Sequence, residues 1–380
     1  MTAAASARPT YPLAVRGAVL RSAGADRPYA NTRPLRIEEL RLSAPGPNEV
    51  LVRIEAAGVC HSDLSVVNGS RLRPMPMLLG HEAAGVVADM GPGVDDLFLG
   101  QRVVSVFLPR CGECAGCRTE GRQPCAPGST ANANGTLFGG RIRLIHNDSE
   151  VHHHLGVSGF ATHAVIDRRS LVPVDDDVPP AVAAVLGCAM LTGGGAVLNV
   201  APPAEGSSVA VVGLGGVGMA ALITARALGA RELTAVDRVP DKLEKARASG
   251  ATRTLTPDDA IATGLAADLV IEAAGHPHAF ETAVEITASG GTMVTVGLPA
   301  PDARATVNPL AITAQAKRIQ GSYLGSAVPS RDIPAFVELW RAGRLDVESL
   351  ISNTIGLDDL NAAMDRLDRG MAVRQVVLFD

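Results

Sequence analysis

SVAVVGLGGVGMAALITARALGARELTAVD, residues 208–237, decides the fold. SVAVV is a short apolar run rich in β-branched valine, the composition of a strand buried on both faces. GLGGVG follows, and then a segment over 217–230 has apolar residues at helical spacing and closes on Gly229. ELTAVD is a second strand ending on Asp237, 24 residues after Gly213. Strand, glycine-rich turn, helix and strand ending in an acid make a dinucleotide fingerprint. Gly213, Gly215 and Gly218, with Gly216 and Val217 in the same turn, let the backbone approach a pyrophosphate at a helix N-terminus. Asp237 accepts hydrogen bonds from the adenosine ribose hydroxyls and repels a 2′-phosphate, so the expected cofactor is NAD; the adjacent Arg238 softens that preference.

The alternation continues outward. A polar helix over 241–250 and strands in DLVIEAAG (268–275), GTMVTVG (291–297) and RIQGSY (318–323) predict an α/β fold, a doubly wound parallel sheet. Before residue 190 the chain is β-rich instead. AVRGAVL (14–20), PLRIEELRL (34–42), EVLVRIEAAG (49–58), AAGVVADM (83–90), QRVVSV (101–106) and FATHAVI (160–166) read as strands separated by Gly, Pro and Asp. Helices at 332–342 and 357–369 and the strand AVRQVVLF (372–379) close the chain.

The 380 residues, 47% of them hydrophobic, suffice for two domains with separate cores. A net charge of −5 with scattered basic residues gives no reason to expect a nucleic-acid partner. The apolar stretches, 209–223 for example, are glycine-broken, so no membrane span is expected. The first fifteen residues lack a basic start followed by an apolar block and are expected to be a loose tail; the expected location is the cytoplasm. Six cysteines in such a chain favour metal ligation over disulfides.

Cys111, Cys114, Cys117 and Cys125 form C-x2-C-x2-C-x7-C, in which single turns of backbone present pairs of sulfurs to a tetrahedral ion. Four thiolates close the shell, so this is a structural zinc site. Cys60, His81 and Cys188 lie far apart, and spacing cannot join them; a cysteine after an apolar strand is more often a small core residue. Two thiolates and an imidazole would leave zinc an open position, where a Lewis acid lowers the pKa of a bound alcohol. Asp63 is placed to hold the His81 imidazole, and Ser62 to pass a proton outward.

GHEAAGVV (80–87), the four-cysteine loop, GCAMLTG (187–193) and GLGGVG, in this order, resemble the zinc-containing medium-chain alcohol dehydrogenases, over nearly the whole chain from about residue 16. HHHLGVSGF (152–160) and the long stretch after Cys125 resemble the horse-liver-like and class III branches. The resemblance implies a GroES-like catalytic domain over 1–189, a Rossmann-type NAD domain over 190–324, and a return to the catalytic domain over 325–380. It also implies two zinc ions per subunit, an alcohol or aldehyde substrate and a homodimer.

Carried over residue by residue, it assigns catalytic zinc to Cys60, His81 and Cys188 and structural zinc to Cys111, Cys114, Cys117 and Cys125. Ser62 matches the relay hydroxyl, and Glu82 an acid behind the catalytic zinc. His61 and Arg374 match pyrophosphate contacts, Lys242 a ribose contact, and Thr192 and Val217 the nicotinamide surroundings; Val296 is a further expected cofactor contact. Phe107, Arg71, Leu155 and Leu324 are the expected pocket walls.

There are departures. Ser65 stands where the family often has a histidine ending the relay. Arg71 and Ser129 replace the acid and arginine that hold glutathione adducts in class III, which argues against glutathione. Cys188 argues against the polyol branch, whose third ligand is a glutamate. The implied reaction is oxidation of an alcohol, a primary one, to an aldehyde with NAD. The rivals are a formaldehyde dehydrogenase using a thiol other than glutathione, and a non-catalytic zinc- and nucleotide-binding relative. The His152–His154 run reads as a loop segment with ordinary packing and hydrogen bonds rather than as an extra metal site.

Overall fold

The computed structural model describes residues 9–379. Six parallel strands form one sheet, in the spatial order Arg253–Leu255, Glu232–Val236, Ser208–Val212, Ala267–Glu272, Thr287–Thr295 and Arg318–Gly321. The strand that comes first in sequence, Ser208–Val212, lies in the middle, so the chain winds to one side, returns and winds to the other. A crevice opens where the winding reverses, at the carboxyl end of that strand. Its residues Val209–Val212 are buried, as an unbroken apolar run requires. Helix Gly216–Ala227 leads out of the crevice and packs on the sheet.

The other half holds two β structures. Leu13–Leu20, Leu35–Leu42, Leu144–His146, Ser149–His153 and Met77–Leu78 close into a small barrel. A second sheet is built around Glu49–Val59, which pairs antiparallel with Glu82–Met90, His163–Asp167 and Arg374–Leu378. The last strand of the chain thus joins the sheet of the N-terminal half and carries Arg374 to the crevice.

Two expectations change. The tail was expected to run through residue 15, but the first strand starts at Leu13, and the Tyr11 hydroxyl donates to Asp89 Oδ2 at 2.8 Å. The rest of that expectation, residues 1–8, lies outside the described residues. Second, Pro180–Val200 is a single apolar helix of 21 residues, longer than the stretch 209–223 weighed for a membrane span. By length and apolarity it could cross a membrane, yet 83% of its apolar window is buried inside the molecule. It runs through the core shared by both halves and packs against helix Gly216–Ala227. The boundary expected at 189/190 falls inside this helix.

Candidate active site and metal centres

Cys60 ends the strand Glu49–Val59 and caps helix His61–Val67. The Asp63 carboxylate closes the cap by accepting the Cys60 N–H at Oδ2, 3.1 Å, and accepts the Gly80 N–H at Oδ1, 3.1 Å. The same Oδ1 stands 3.2 Å from His81 Nδ1, which turns His81 Nε2 to the opposite side, 3.6 Å from Cys188 Sγ. The ligand atoms of Cys60, His81, Glu82 and Cys188 lie within 4.8 Å of one another, all on buried residues.

These distances fit zinc. Tetrahedral coordination with Zn–S of about 2.3 Å and Zn–N of about 2.0 Å sets a sulfur–nitrogen edge of about 3.6 Å and a sulfur–sulfur edge of about 3.8 Å. The Cys188–His81 distance matches the first. In the four-cysteine loop, Cys111 Sγ and Cys117 Sγ are 3.8 Å apart and match the second. A disulfide needs about 2.05 Å, and all six cysteines are unpaired. Backbone N–H groups of Cys114, Cys117 and Cys111 donate to the sulfurs of Cys111, Cys114 and Cys125, each at 3.4 Å, an arrangement that stabilises thiolates.

The electrostatics around the first site are strong because every group is buried. Burial alone would raise the Asp63 pKa; the imidazoles of His81 and His154 override it and hold it at about 2. Burial pushes Glu82 up to about 8, against the pull of Arg374, whose Nη1 lies 3.1 Å from Glu82 Oε1. A hydrogen bond from Cys188 holds the Cys60 thiol well below its ordinary range, with Arg374 and His81 adding to the effect against burial.

One cleft of about 1720 Å³ runs from Cys60 and Cys188 to the glycine-rich turn. Near the sulfurs it is lined by Ser62, Phe107, Thr192 and Leu324, and farther along by His61, Val217, Val296 and Arg374. Gly213, Gly215 and Gly216 form its floor, and Asp237, Arg238 and Lys242 its far end. Gly213 sits at φ 93°, which only glycine adopts without strain. Gly218 does not line the cleft; a Cβ there would meet the Gly213 carbonyl oxygen at 1.8 Å, so its role is close approach of helix and turn. Asp237 accepts the N–H groups of Leu214 at 2.7 Å and Val239 at 3.0 Å, with Lys242 Nζ 4.0 Å away. Arg374 lies against Gly216 and donates through Nη1 to the Val59 carbonyl at 3.0 Å, tying the helix start to the strand that carries Cys60.

Residues 46–176 match the alcohol dehydrogenase GroES-like domain family, and residues 216–342 match the zinc-binding dehydrogenase family. Alcohol dehydrogenase B of Mycobacterium tuberculosis is 34% identical over 358 residues, spanning 91% of this chain and 96% of the relative. The chain is a zinc-containing medium-chain alcohol dehydrogenase. A zinc-binding-domain alcohol dehydrogenase structure from Burkholderia ambifaria superposes with a TM-score of 0.89 at 33% identity, covering 97% of this chain and 99% of that one. Benzyl alcohol dehydrogenase from Acinetobacter calcoaceticus also gives 0.89, at 29% identity, covering 97% and 100%. The GroES-like and Rossmann-type halves are those of this dehydrogenase fold.

In the dehydrogenase, Asp63, His81 and Glu82 are fully buried and do not line the cleft; His81 is part of the ligand cluster, and Asp63 and Glu82 contact it from behind. Leu155, expected on the pocket wall, is not on the cleft. Ser158 Oγ accepts the His154 N–H at 3.0 Å and donates to the Leu78 carbonyl at 2.9 Å; the resulting tight turn, with Leu155 at φ 52°, buries Leu155 in the apolar cluster that includes Phe107 and Leu324. Ser129 sits on helix Ala126–Asn134 and does not line the cleft.

Two residues escaped the sequence reading. His154, expected to make ordinary packing and hydrogen-bond contacts and not assigned to the site, places Nδ1 3.0 Å from Asp63 Oδ1 and its ring 5.3 Å from that of His81, edge to face. Tyr323 lines the cleft and meets Phe107 edge to face at 5.9 Å, while Phe107 meets His81 at 5.7 Å. Only the neighbouring Leu324 had been singled out, and nothing local marked Tyr323.

Proposed function

We propose that the dehydrogenase oxidises a primary alcohol to an aldehyde with NAD as hydride acceptor, holding two zinc ions per subunit. The observation that carries the reading is one cleft joining the Cys60–His81–Cys188 cluster to the Gly213–Gly218 turn and Asp237. When bound between Cys60, His81 and Cys188, zinc supplies Lewis-acid polarisation of the substrate oxygen. Asp63 fixes the imidazole so that its Nε2 stays directed at the cluster. Ser62, beside Cys60, takes the hydroxyl proton and passes it outward. The Ser65 hydroxyl donates to the His61 carbonyl at 2.7 Å, so its oxygen is left to accept from water and the relay ends in solvent.

Asp237 supports NAD. Two backbone N–H bonds fix its carboxylate at the end of the second strand, where ribose hydroxyls donate to it and a phosphate is repelled. Phe107 and Tyr323, packed edge to face, line the cleft on the side of the ligand cluster, and bulky aromatic walls there support one substituent on the reacting carbon over two. The exposed edge strand Arg318–Gly321 supports a homodimer joined at that edge, and six unpaired cysteines support the cytoplasm.

The test is reduction of NAD and of NADP by primary and secondary alcohols of matched size. The expected result is higher kcat/KM for primary alcohols and for NAD. Faster turnover with NADP would overturn the cofactor assignment, and absence of turnover with every alcohol would overturn the reaction.

A further inference from the structure

Arg71 and Arg73 lie on the segment that follows helix His61–Val67. The Arg71 N–H donates to the Ser65 carbonyl at 2.9 Å, and Arg71 lines the substrate end of the cleft with Ser65 and Tyr323. Other arginines of this chain face carboxylates: Arg102 meets Glu55, Arg143 meets Glu49, and Arg168 meets Asp96. Among the described residues, neither Arg71 nor Arg73 has an acidic group within ion-pair distance. Arg73 is half-buried, and its Nε is enclosed without a hydrogen-bond partner.

Two unneutralised guanidinium groups side by side, one partly desolvated, cost free energy that a folded protein ordinarily avoids. Burial and the charge of Arg71 both draw the Arg73 pKa down, and both arginines act on the Tyr323 hydroxyl. The ring ladder His81–Phe107–Tyr323, with steps of 5.7 and 5.9 Å, connects this positive end to the ligand cluster. We propose that Arg71, which lines the cleft, backed by the charge of Arg73, which does not line it, forms an anion-binding subsite at the outer end of the substrate cleft, so that the substrate is an alcohol carrying a carboxylate or phosphate at the end remote from its hydroxyl. The arginine fork matches either group through paired N–H donors. The inference rests on the alcohol-oxidising reading above and adds the substrate class to it.

The experiment compares kcat/KM for three series of equal chain lengths: neutral 1-alcohols, ω-hydroxycarboxylates and ω-hydroxyalkyl phosphates. The wild-type enzyme is expected to prefer one anionic series by about tenfold or more, the range of a charge-assisted hydrogen bond in a partly desolvated site. Which series wins distinguishes carboxylate from phosphate. Arg71→Met should lower the anionic-to-neutral ratio by about tenfold and Arg73→Met, which removes only the backing charge, by less; Arg71→Lys should recover part of the loss, and added salt should lower the ratio in the wild type. Oxidation of all three series without charge preference at any length would overturn the subsite, as would an equal loss for all three in Arg71→Met. If no alcohol is oxidised, the reaction assignment fails. Calorimetric titration with the same carboxylates and phosphates then judges the subsite alone: binding that disappears in the Arg71→Met/Arg73→Met protein sustains it, and absence of binding to the wild type overturns it.

Discussion

Asp63→Asn isolates what holds the catalytic ligand set in place. The carboxylate is fully buried, accepts the N–H groups of Cys60 and Gly80 at 3.1 Å each, and stands 3.2 Å from His81 Nδ1 and 3.0 Å from His154 Nδ1. Asparagine preserves the shape but offers one oxygen. If that oxygen takes the place of Oδ1, the amide nitrogen faces the Cys60 N–H and the helix loses its cap, a cost of about 1 kcal/mol. In the flipped orientation the Gly80 and His81 contacts are lost instead. Both orientations remove the negative charge behind His81, for which the loss of a charge-assisted hydrogen bond costs about 1–2 kcal/mol more. Expressed on zinc binding, the sum of about 2–3 kcal/mol is about 30–150-fold weaker retention at Cys60–His81–Cys188, overlapping the range usual for loss of such a supporting group. The four-cysteine loop does not contact Asp63 and keeps its ion. The assay is elemental analysis across a chelator titration, with activity followed in parallel. The variant should pass through a one-zinc, inactive plateau at chelator concentrations where the wild type holds two, and added zinc should restore turnover. The reasoning is refuted if both ions leave the variant at the wild-type midpoint while kcat is unchanged.

Other outcomes follow from the same geometry. Asp237→Ser should lower kcat/KM with NAD by at least about tenfold and raise the NADP-to-NAD ratio, and a constant ratio would show that Asp237 does not read the ribose. Gly218→Ala puts a Cβ 1.8 Å from the Gly213 carbonyl, so helix and turn must separate at a cost of about 1–3 kcal/mol; a lower melting temperature and weaker NADH binding by fluorescence titration are expected, and wild-type values for both would contradict the packing role. Cys114→Ser should lose one zinc and much thermal stability, and retention of two ions would show that the loop is not a four-thiolate site. His153 is buried beside the Arg143 N–H, which donates to its Nε2 at 3.1 Å, and burial lowers its pKa to about 3. A histidine depressed in the folded state stabilises above its unfolded pKa of about 6.5 and loses that contribution as pH falls from there toward 3. Between pH 7.5 and 5 the loss is about 2 kcal/mol, so the urea midpoint of the wild type should fall more over this interval than that of His153→Gln, and parallel declines would refute it.

What the chain discloses before folding depends on how far apart the partners are. Residues 208–237 disclose the cofactor site because strand, turn, helix and acid are consecutive, and Cys111–Cys125 disclose a metal because one turn of backbone sets the sulfur spacing. The Pro180–Val200 helix was missed for a physical reason. Its glycines at 187 and 193–195 look like breaks in isolation, whereas in a packed interior small residues are what close helix contact needs; a Cβ on Gly193 would meet the Val217 carbonyl at 1.9 Å. Cys60 and His81 are 21 positions apart and share no local pattern. They meet because Glu49–Val59 pairs antiparallel with Glu82–Met90 in the register Gly58↔Glu82. That register brings the end of the first of these strands beside the start of the second, so Cys60 and His81 emerge at the same edge of the sheet. A slip of one residue would send alternate side chains to the opposite face and separate the ligands. The Asp63 carboxylate, bonded to the Cys60 N–H on one side and the Gly80 N–H on the other, clamps both strand ends in that register. His154 reaches the same carboxylate from a third segment, which is why neighbouring sequence gave no sign of it. The Cys60–His81–Cys188 cluster is thus specified by sheet register more than by any motif, and Asp63 belongs to the register as much as to the proposed chemistry.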